Sequence, residues 1–135
     1  MIYALDSNII SYLLKDNTVV YNWLDKILNE GGCCIIPPVA YYEIKRGLLF
    51  SKAIKKAVYF EELCCEFGIG IMDTPVLDEA AKIYAEHRAN GQMIEDSDIF
   101  IAAFCVVNGY TLVTHNTKHF KNINGLYLTD WTSAF

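Results

Sequence analysis

Glu95-Asp96-Ser97-Asp98-Ile99-Phe100-Ile101-Ala102-Ala103-Phe104-Cys105-Val106-Val107 places three carboxylates within four residues, followed by nine apolar residues with no polar face. The run is of helix length and stops at Asn108-Gly109, a pair that suits the left-handed turn ending a helix. A helix that is apolar all round is a buried one. The stretch therefore predicts a central helix driven into a core, with acids gathered at its N-terminus. Capping explains one acid, because an Asp oxygen accepts an otherwise unpaired N–H of the first turn. With Asp96 as N-cap, Asp98 stands at the second helical position, on another face and free for other work. Glu95 is read as a loop residue.

Working outward, short apolar runs alternate with helical patterns. Met1 to Leu5 and Cys33 to Ile36 read as buried strands, Tyr110 to Thr114 as another and Leu126 to Leu128 as an edge strand; Gly68 to Met72 is a further, Gly-rich candidate. Between them, helical spacing covers Ile9 to Leu14, Val20 to Leu28, the segment opened by Pro37-Pro38, and Ser51 to Phe67 with Ile54, Val58, Leu63 and Phe67 as core candidates. A helix from Thr74 follows, with Thr74 as N-cap and Ala80, Ala81, Tyr84 and Ala85 as a small-residue packing face. Strands alternating with helices predict an α/β fold: a three-layer α/β/α sandwich around a mainly parallel sheet of four to five strands. The 135 residues are enough for one domain spanning residues 1–135.

Composition narrows the class. The chain is 53% hydrophobic and 20% charged, so it is globular rather than disordered. Its apolar runs are too short to cross a bilayer, and Asp6 interrupts the first one, unlike a signal peptide. A cytoplasmic protein with no membrane partner is expected. The five cysteines show no Cys-x-x-Cys spacing and read as buried, reduced thiols rather than zinc ligands or disulfides. A net charge of −5 excludes broad affinity for nucleic acid, so any such contact has to be local and salt-sensitive. Lys45, Arg46, Lys52, Lys55 and Lys56 form an acid-free basic segment that could supply it.

Four residues then stand out. Asp6 and Asn116 each follow a strand, where open α/β sheets bind ligands. Glu43 lies early in the Pro37-Pro38 helix, on one side with Val39, Ala40 and Gly47, which leaves room around its carboxylate. Asp98 opens the central helix. Gathered at one mouth, these acids would repel each other unless a cation sat among them, and hard oxygen donors suit Mg²⁺ or Mn²⁺. Such a centre fits phosphodiester hydrolysis. Ser7, Asn8 and Thr114 are placed to orient the carboxylates. His87 and His119 read as structural or exposed.

Leu5-Asp6-Ser7-Asn8-Ile9-Ile10, Tyr42-Glu43-Ile44-Lys45-Arg46-Gly47, Asp98-Ile99-Phe100-Ile101-Ala102-Ala103 and Leu112-Val113-Thr114-His115-Asn116 resemble the four ordered motifs of PIN domains. Gly125 to Trp131 resembles the tail of the VapC-type toxins of that family. The resemblance runs nearly end to end. It implies a metal-dependent endoribonuclease that cuts a structured RNA such as tRNA, dimerises, and is silenced by a VapB-like antitoxin. It also implies that Asp6, Glu43 and Asp98 hold the metal and that Asn116 joins them at the catalytic centre, with Lys45 and Arg46 available to RNA phosphates. Ser7 stands where Thr is commoner, keeping the hydroxyl; Asn116 stands where many PIN domains carry a fourth Asp, keeping an oxygen donor but removing a charge. Asp96 and Asp98 point about 200° apart on a helix, so only one of them can face the metal. Asp98, which begins the motif, takes that role, and Asp96 is left as cap or outer carboxylate. Two other readings compete: a PIN-like module that binds RNA or antitoxin without cutting, and a phosphoacceptor-Asp receiver. The intact Asp6, Glu43 and Asp98 set disfavours the first. The lack of an acidic pair before Asp6 disfavours the second.

Overall fold

The computed structural model describes every residue from Met1 to Phe135. Four parallel strands, β1 (Ile2–Leu5), β2 (Cys33–Ile35), β3 (Thr111–Val113) and β4 (Tyr127–Thr129), form one sheet in the order β2-β1-β3-β4. Seven helices connect them: α1 (Ser7–Leu14), α2 (Thr18–Asn29), α3 (Pro38–Ser51), α4 (Ile54–Phe67), α5 (Thr74–Ala89), α6 (Asp96–Asn108) and α7 (Thr117–Phe120). Consecutive strand residues face opposite sides of a sheet. Ala4 and Leu5 are both fully buried, as are Leu112 and Val113, so helices cover both faces and the layers number three. No helix is long and apolar enough to cross a membrane.

The chain leaves β1 for β2 on one side and returns to β3 on the other. The carboxyl ends of β1 and β3 therefore flank the point where strand order reverses, the position at which open α/β sheets bind ligands. Asp6 and Thr114 stand there. The Asp6 N–H extends the ladder to Val113 O at 3.0 Å, and the Thr114 N–H to Thr129 O at 3.0 Å. Helix α6 is buried from Ile99 through Cys105, except the half-buried Phe100, and ends at Gly109 with φ +71°. It packs along α5 and against α3, β3 and α7, and so acts as the central strut its composition predicts.

Several local expectations change. Gly68 to Met72 makes a single bridge, Ile69 to Ile36, and no strand. A Cβ on Gly70 would fall within 2.2 Å of the Phe104 ring, so this segment is pressed flat onto α6 and continues directly towards α5. Ile54 and Val58 are 79% and 52% exposed; the buried face of α4 is Phe60 and Leu63, with Phe67 partly covered. On α5 the inward residues are Val76, Ala80, Ile83 and His87, while Ala81, Tyr84 and Ala85 face solvent. Asp73 rather than Thr74 caps this helix, accepting from the Val76 N–H at 3.2 Å. Cys34 and Cys105 are buried and Cys64 half-buried, but Cys33 and Cys65 are exposed. Burial pushes the Cys34 thiol up to about 12, which keeps it protonated and inert.

The segment after β4 is tied back onto the fold. Trp131 is buried beside Tyr3, with ring centroids 5.7 Å apart. The Trp23 Nε1–H donates to Ser133 O at 2.6 Å, and Phe135 meets the Trp23 ring edge-on. His115 Nδ1 lies 3.0 Å from Thr132 Oγ1 and 3.3 Å from Asp130 Oδ2. Thr132 in turn donates twice to Asp130, through its N–H and its hydroxyl. Burial pushes the Asp130 carboxyl up, but the Thr132 donors and His115 outweigh it and hold the group below its ordinary range.

Candidate active site

Asp6 is 3% exposed, and every protein contact its carboxylate makes comes from a neighbour fixed by the fold. Oδ1 accepts the Ser7 N–H at 2.8 Å, making Asp6 the N-cap of α1. Oδ2 accepts the Thr114 hydroxyl at 2.7 Å and the Asn8 amide at 3.3 Å. A carboxylate offers about four acceptor positions, so roughly one remains for a ligand. Thr114, fully buried, also takes the Asn116 N–H on its hydroxyl oxygen at 3.0 Å. Asn8 Oδ1 accepts the His115 N–H at 3.1 Å. Asp6 is therefore a helix cap with an acceptor position left open. Asn8 and Thr114 are the two side chains that bond the Asp6 carboxylate.

A polar cavity of about 270 Å³ opens over this corner. Asp6, Ser7, Asn8, Glu43, Asp98 and Asn116 all border it, and no hydrophobic residue does. α3 brings Glu43 to the cavity from its second turn, and α6 brings Asp98 from its first. Asn116 occupies the N-cap position of α7 but makes no side-chain cap bond, which leaves its amide to the cavity. All four residues singled out in the sequence therefore meet at one place.

Asp96 does not join them. Helix α6 begins one residue earlier than expected: Glu95 holds the N-cap position without a side-chain bond, and Asp96 is the first helical residue, exposed and off the cavity wall. The shift moves Asp98 to the third helical position but keeps the two Asp residues on opposed faces. Glu95, a loop residue as expected, also borders the cavity, as do Ser11, Ser97 and His119. His119 Nδ1 lies 3.2 Å from Asp98 Oδ2 and is the one basic group touching a cavity carboxylate. Its place was readable in principle, since it follows Asn116 by three residues, one turn of a helix. Lys45 and Arg46 do not border the cavity. The Arg46 guanidinium lies 5.1 Å from the Tyr42 ring, and Lys45 is half-buried near Cys64.

Electrostatics mark the cavity as short of positive charge. Burial raises the Asp6 carboxyl above its ordinary range, against the pull of the Thr114, Ser7 and Asn8 hydrogen bonds. Burial and then the charge of Asp6 raise Glu43, with Ser7 and Arg46 pulling back. Burial and Asp6 likewise raise Asp98, against His119. As arranged, no three His, Cys, Asp or Glu side chains grip a single point. The donors are nevertheless all hard oxygens suited to Mg²⁺ or Mn²⁺, and a divalent cation would relieve the repulsion the three acids share. Asp6, Glu43 and Asp98 could hold it, with the Asn116 amide oxygen beside them.

Fold and cavity together define an open parallel α/β domain with an acidic cavity at its switch point. The model of the PIN domain matches residues 3–126. Ribonuclease VapC2 of Rickettsia felis is 32% identical over 139 aligned positions, covering 97% of this chain and 98% of that protein. Ribonuclease VapC1 of Methanocaldococcus jannaschii is 31% identical over 123 positions, covering 89% and 88%. Among solved structures, VapBC2 from Rickettsia felis bound to a promoter DNA fragment superposes with a TM-score of 0.89 at 26% identity, covering 97% of this chain and 99% of that one. The chain belongs to the PIN-domain family.

Proposed function

We propose that this protein is a divalent-metal-dependent endoribonuclease of VapC type. Asp6, Glu43 and Asp98 hold Mg²⁺ or Mn²⁺, and Asn116 supplies an oxygen at the same centre. The observation that carries the reading is the cavity itself: Asp6, Glu43, Asp98 and the Asn116 amide, delivered by four separate elements to one polar opening that Glu95 also borders and that has no hydrophobic wall. When bound, the cation would polarise a phosphoryl oxygen and acidify a water molecule. The protein's own part is to fix positions. The Ser7 N–H, Asn8 amide and Thr114 hydroxyl hold Asp6 in one rotamer, and α6 carries Asp98 on a buried, stiff mount. Ser97 and Ser11 add hydroxyls to the rim, where they can orient water or a ribose. Hydrolysis forms a bond from the water oxygen to phosphorus and breaks one phosphorus–oxygen bond of the RNA backbone.

The named relatives extend the reading to partners. A VapB-like antitoxin would silence the protein, and a homodimer would be its working form in the cytoplasm. The α3–α4 junction supports a protein partner, because Leu49, Phe50 and Ile54 are 68%, 91% and 79% exposed there. The substrate class is structured RNA such as tRNA. Purified protein freed of antitoxin, incubated with bulk tRNA and Mg²⁺ or Mn²⁺, should yield discrete fragments. Chelator should prevent this, as should Asp6→Ala. Intact RNA in every arm, or equal cutting by the variant, would overturn the assignment.

A further inference from the structure

We propose that the cavity beside Asp98, bordered by Gln92, Met93, Ile94, Lys118 and Asn122, is a nucleobase-reading pocket that selects the nucleotide next to the bond being cut. The proposal rests on the nuclease reading above and deepens it. This cavity, about 490 Å³, shares Glu95, Asp98 and His119 with the acidic cavity, so a chain bound at the acids runs directly into it. Its volume falls in the range of small-molecule sites, about 300–1,000 Å³.

The lining chemistry matches a base better than a phosphate. The side-chain amides of Gln92 and Asn122 each present a donor and an acceptor, the pair that reads a base edge. His87 contributes a third polar group. Its Nδ1 lies 3.0 Å from the Ile83 carbonyl, which can only accept, so Nδ1 carries a proton and, in the neutral ring, Nε2 accepts. Met93 and Ile94 offer apolar surface to the flat of a ring, and Lys118 a charge for the phosphate beside it. The Gln92 N–H is fixed on His87 O at 2.8 Å, and Arg88 Nη1 lies 3.6 Å from Met93 Sδ, so the loop that carries the reading groups is tied to α5.

The opposite flank of the acidic cavity shows the contrast. There a cavity of about 180 Å³ shares Ser11 and Glu43 with the centre and is lined by Lys15, Lys56 and Ser51, with no amide. Lysines and hydroxyls hold a backbone without distinguishing sequence. One flank can therefore grip and the other can discriminate.

The test maps cut sites by fragment sequencing on bulk tRNA and on a random-sequence RNA pool. Wild type should prefer one base beside the cut. Gln92→Ala and Asn122→Ala should flatten that preference and lower kcat/KM at the preferred site by about 5- to 100-fold, the value of one good base contact, while disfavoured sites keep their rate. Gln92→Glu, which trades a donor for an acceptor, should move the preference to another base. Lys82→Ala, exposed on α5 and outside all three cavities, should change nothing. An unchanged preference would overturn the proposal. So would an equal fall at every site, which marks a packing role, or weakened antitoxin binding with RNA cutting intact, which marks a protein contact. If wild type cuts neither substrate, the nuclease reading fails first and this role falls with it.

Discussion

The carboxylates of the candidate centre are held in two different ways. Asp6 sits at the end of a strand, 3% exposed, with three donors on its two oxygens. Glu43 and Asp98 are carried by helices, are only half-buried, and are surrounded by other acids more than by donors. One corner is finished before any ligand arrives, and the other is left electrostatically open. The difference assigns labour: the sheet supplies a fixed point, and the helices supply carboxylates with few donors of their own.

The largest expected effect tests the open side. Asp98→Asn or Glu43→Gln should reduce tRNA cleavage by about a thousandfold or more, since several kcal/mol of transition-state stabilisation depend on the metal. The same variants should not lose stability. Folded-state values above the ordinary carboxyl range mean that the native protein binds protons more tightly than the unfolded chain. The stability linked to that proton is full below the unfolded value and is lost as pH rises through the folded one. Removing the charge should therefore raise or preserve Tm at pH 7, with the gain shrinking towards pH 4. Thermal melts of wild type and Asp98→Asn at both pH values check this, and a clear drop at pH 7 would make Asp98 a structural residue.

A smaller effect tests the finished corner. Thr114→Val keeps the shape but removes the donor to Asp6 and the acceptor for the Asn116 N–H. Chemical denaturation should show a loss of about 1–3 kcal/mol for a buried group left unpaired, and cleavage should fall about 10- to 100-fold. Thr114→Ser should recover most of both. Equal stability in the Val variant would mean that the Ser7 N–H and the Asn8 amide are enough to hold Asp6.

The smallest effect concerns Asp96. Exposed at the first position of α6 and without a cap bond, it has only the helix dipole to favour it. Asp96→Ala should cost no more than about 0.5 kcal/mol and leave cleavage unchanged. A thousandfold loss of cutting would transfer to Asp96 the role assigned to Asp98.

What the sequence revealed follows from which features are local. Asp6 and Asn116 were legible because a strand end fixes position by topology, and Asp98 because its motif opens a run that has to be buried. Residues set by contact between elements were not. Glu95 reaches the cavity only through the course of the loop between α5 and α6, whereas His119 was within reach of the sequence as the residue one turn after Asn116. Ile54 and Val58 looked like core because apolar spacing cannot say whether anything packs on it. Gly68 to Met72 carried the glycines of a strand candidate, yet Gly70 is there to admit the Phe104 ring. The start of α6 slipped by one residue because four adjacent polar residues offer several similar caps.

The tie between β4 and the cavity has a consequence for biosynthesis. Asp6 is synthesised well before Thr114, which bonds its carboxylate from 108 residues further along the chain. His115, whose N–H holds Asn8, is itself braced by Asp130 and Thr132. A nascent chain therefore carries Asp6 without its Thr114 bond, and Asn8 without its His115 anchor, until those later residues have been made and folded back. The corner that holds Asp6 is therefore completed only once β3 and the segment after β4 have joined β1.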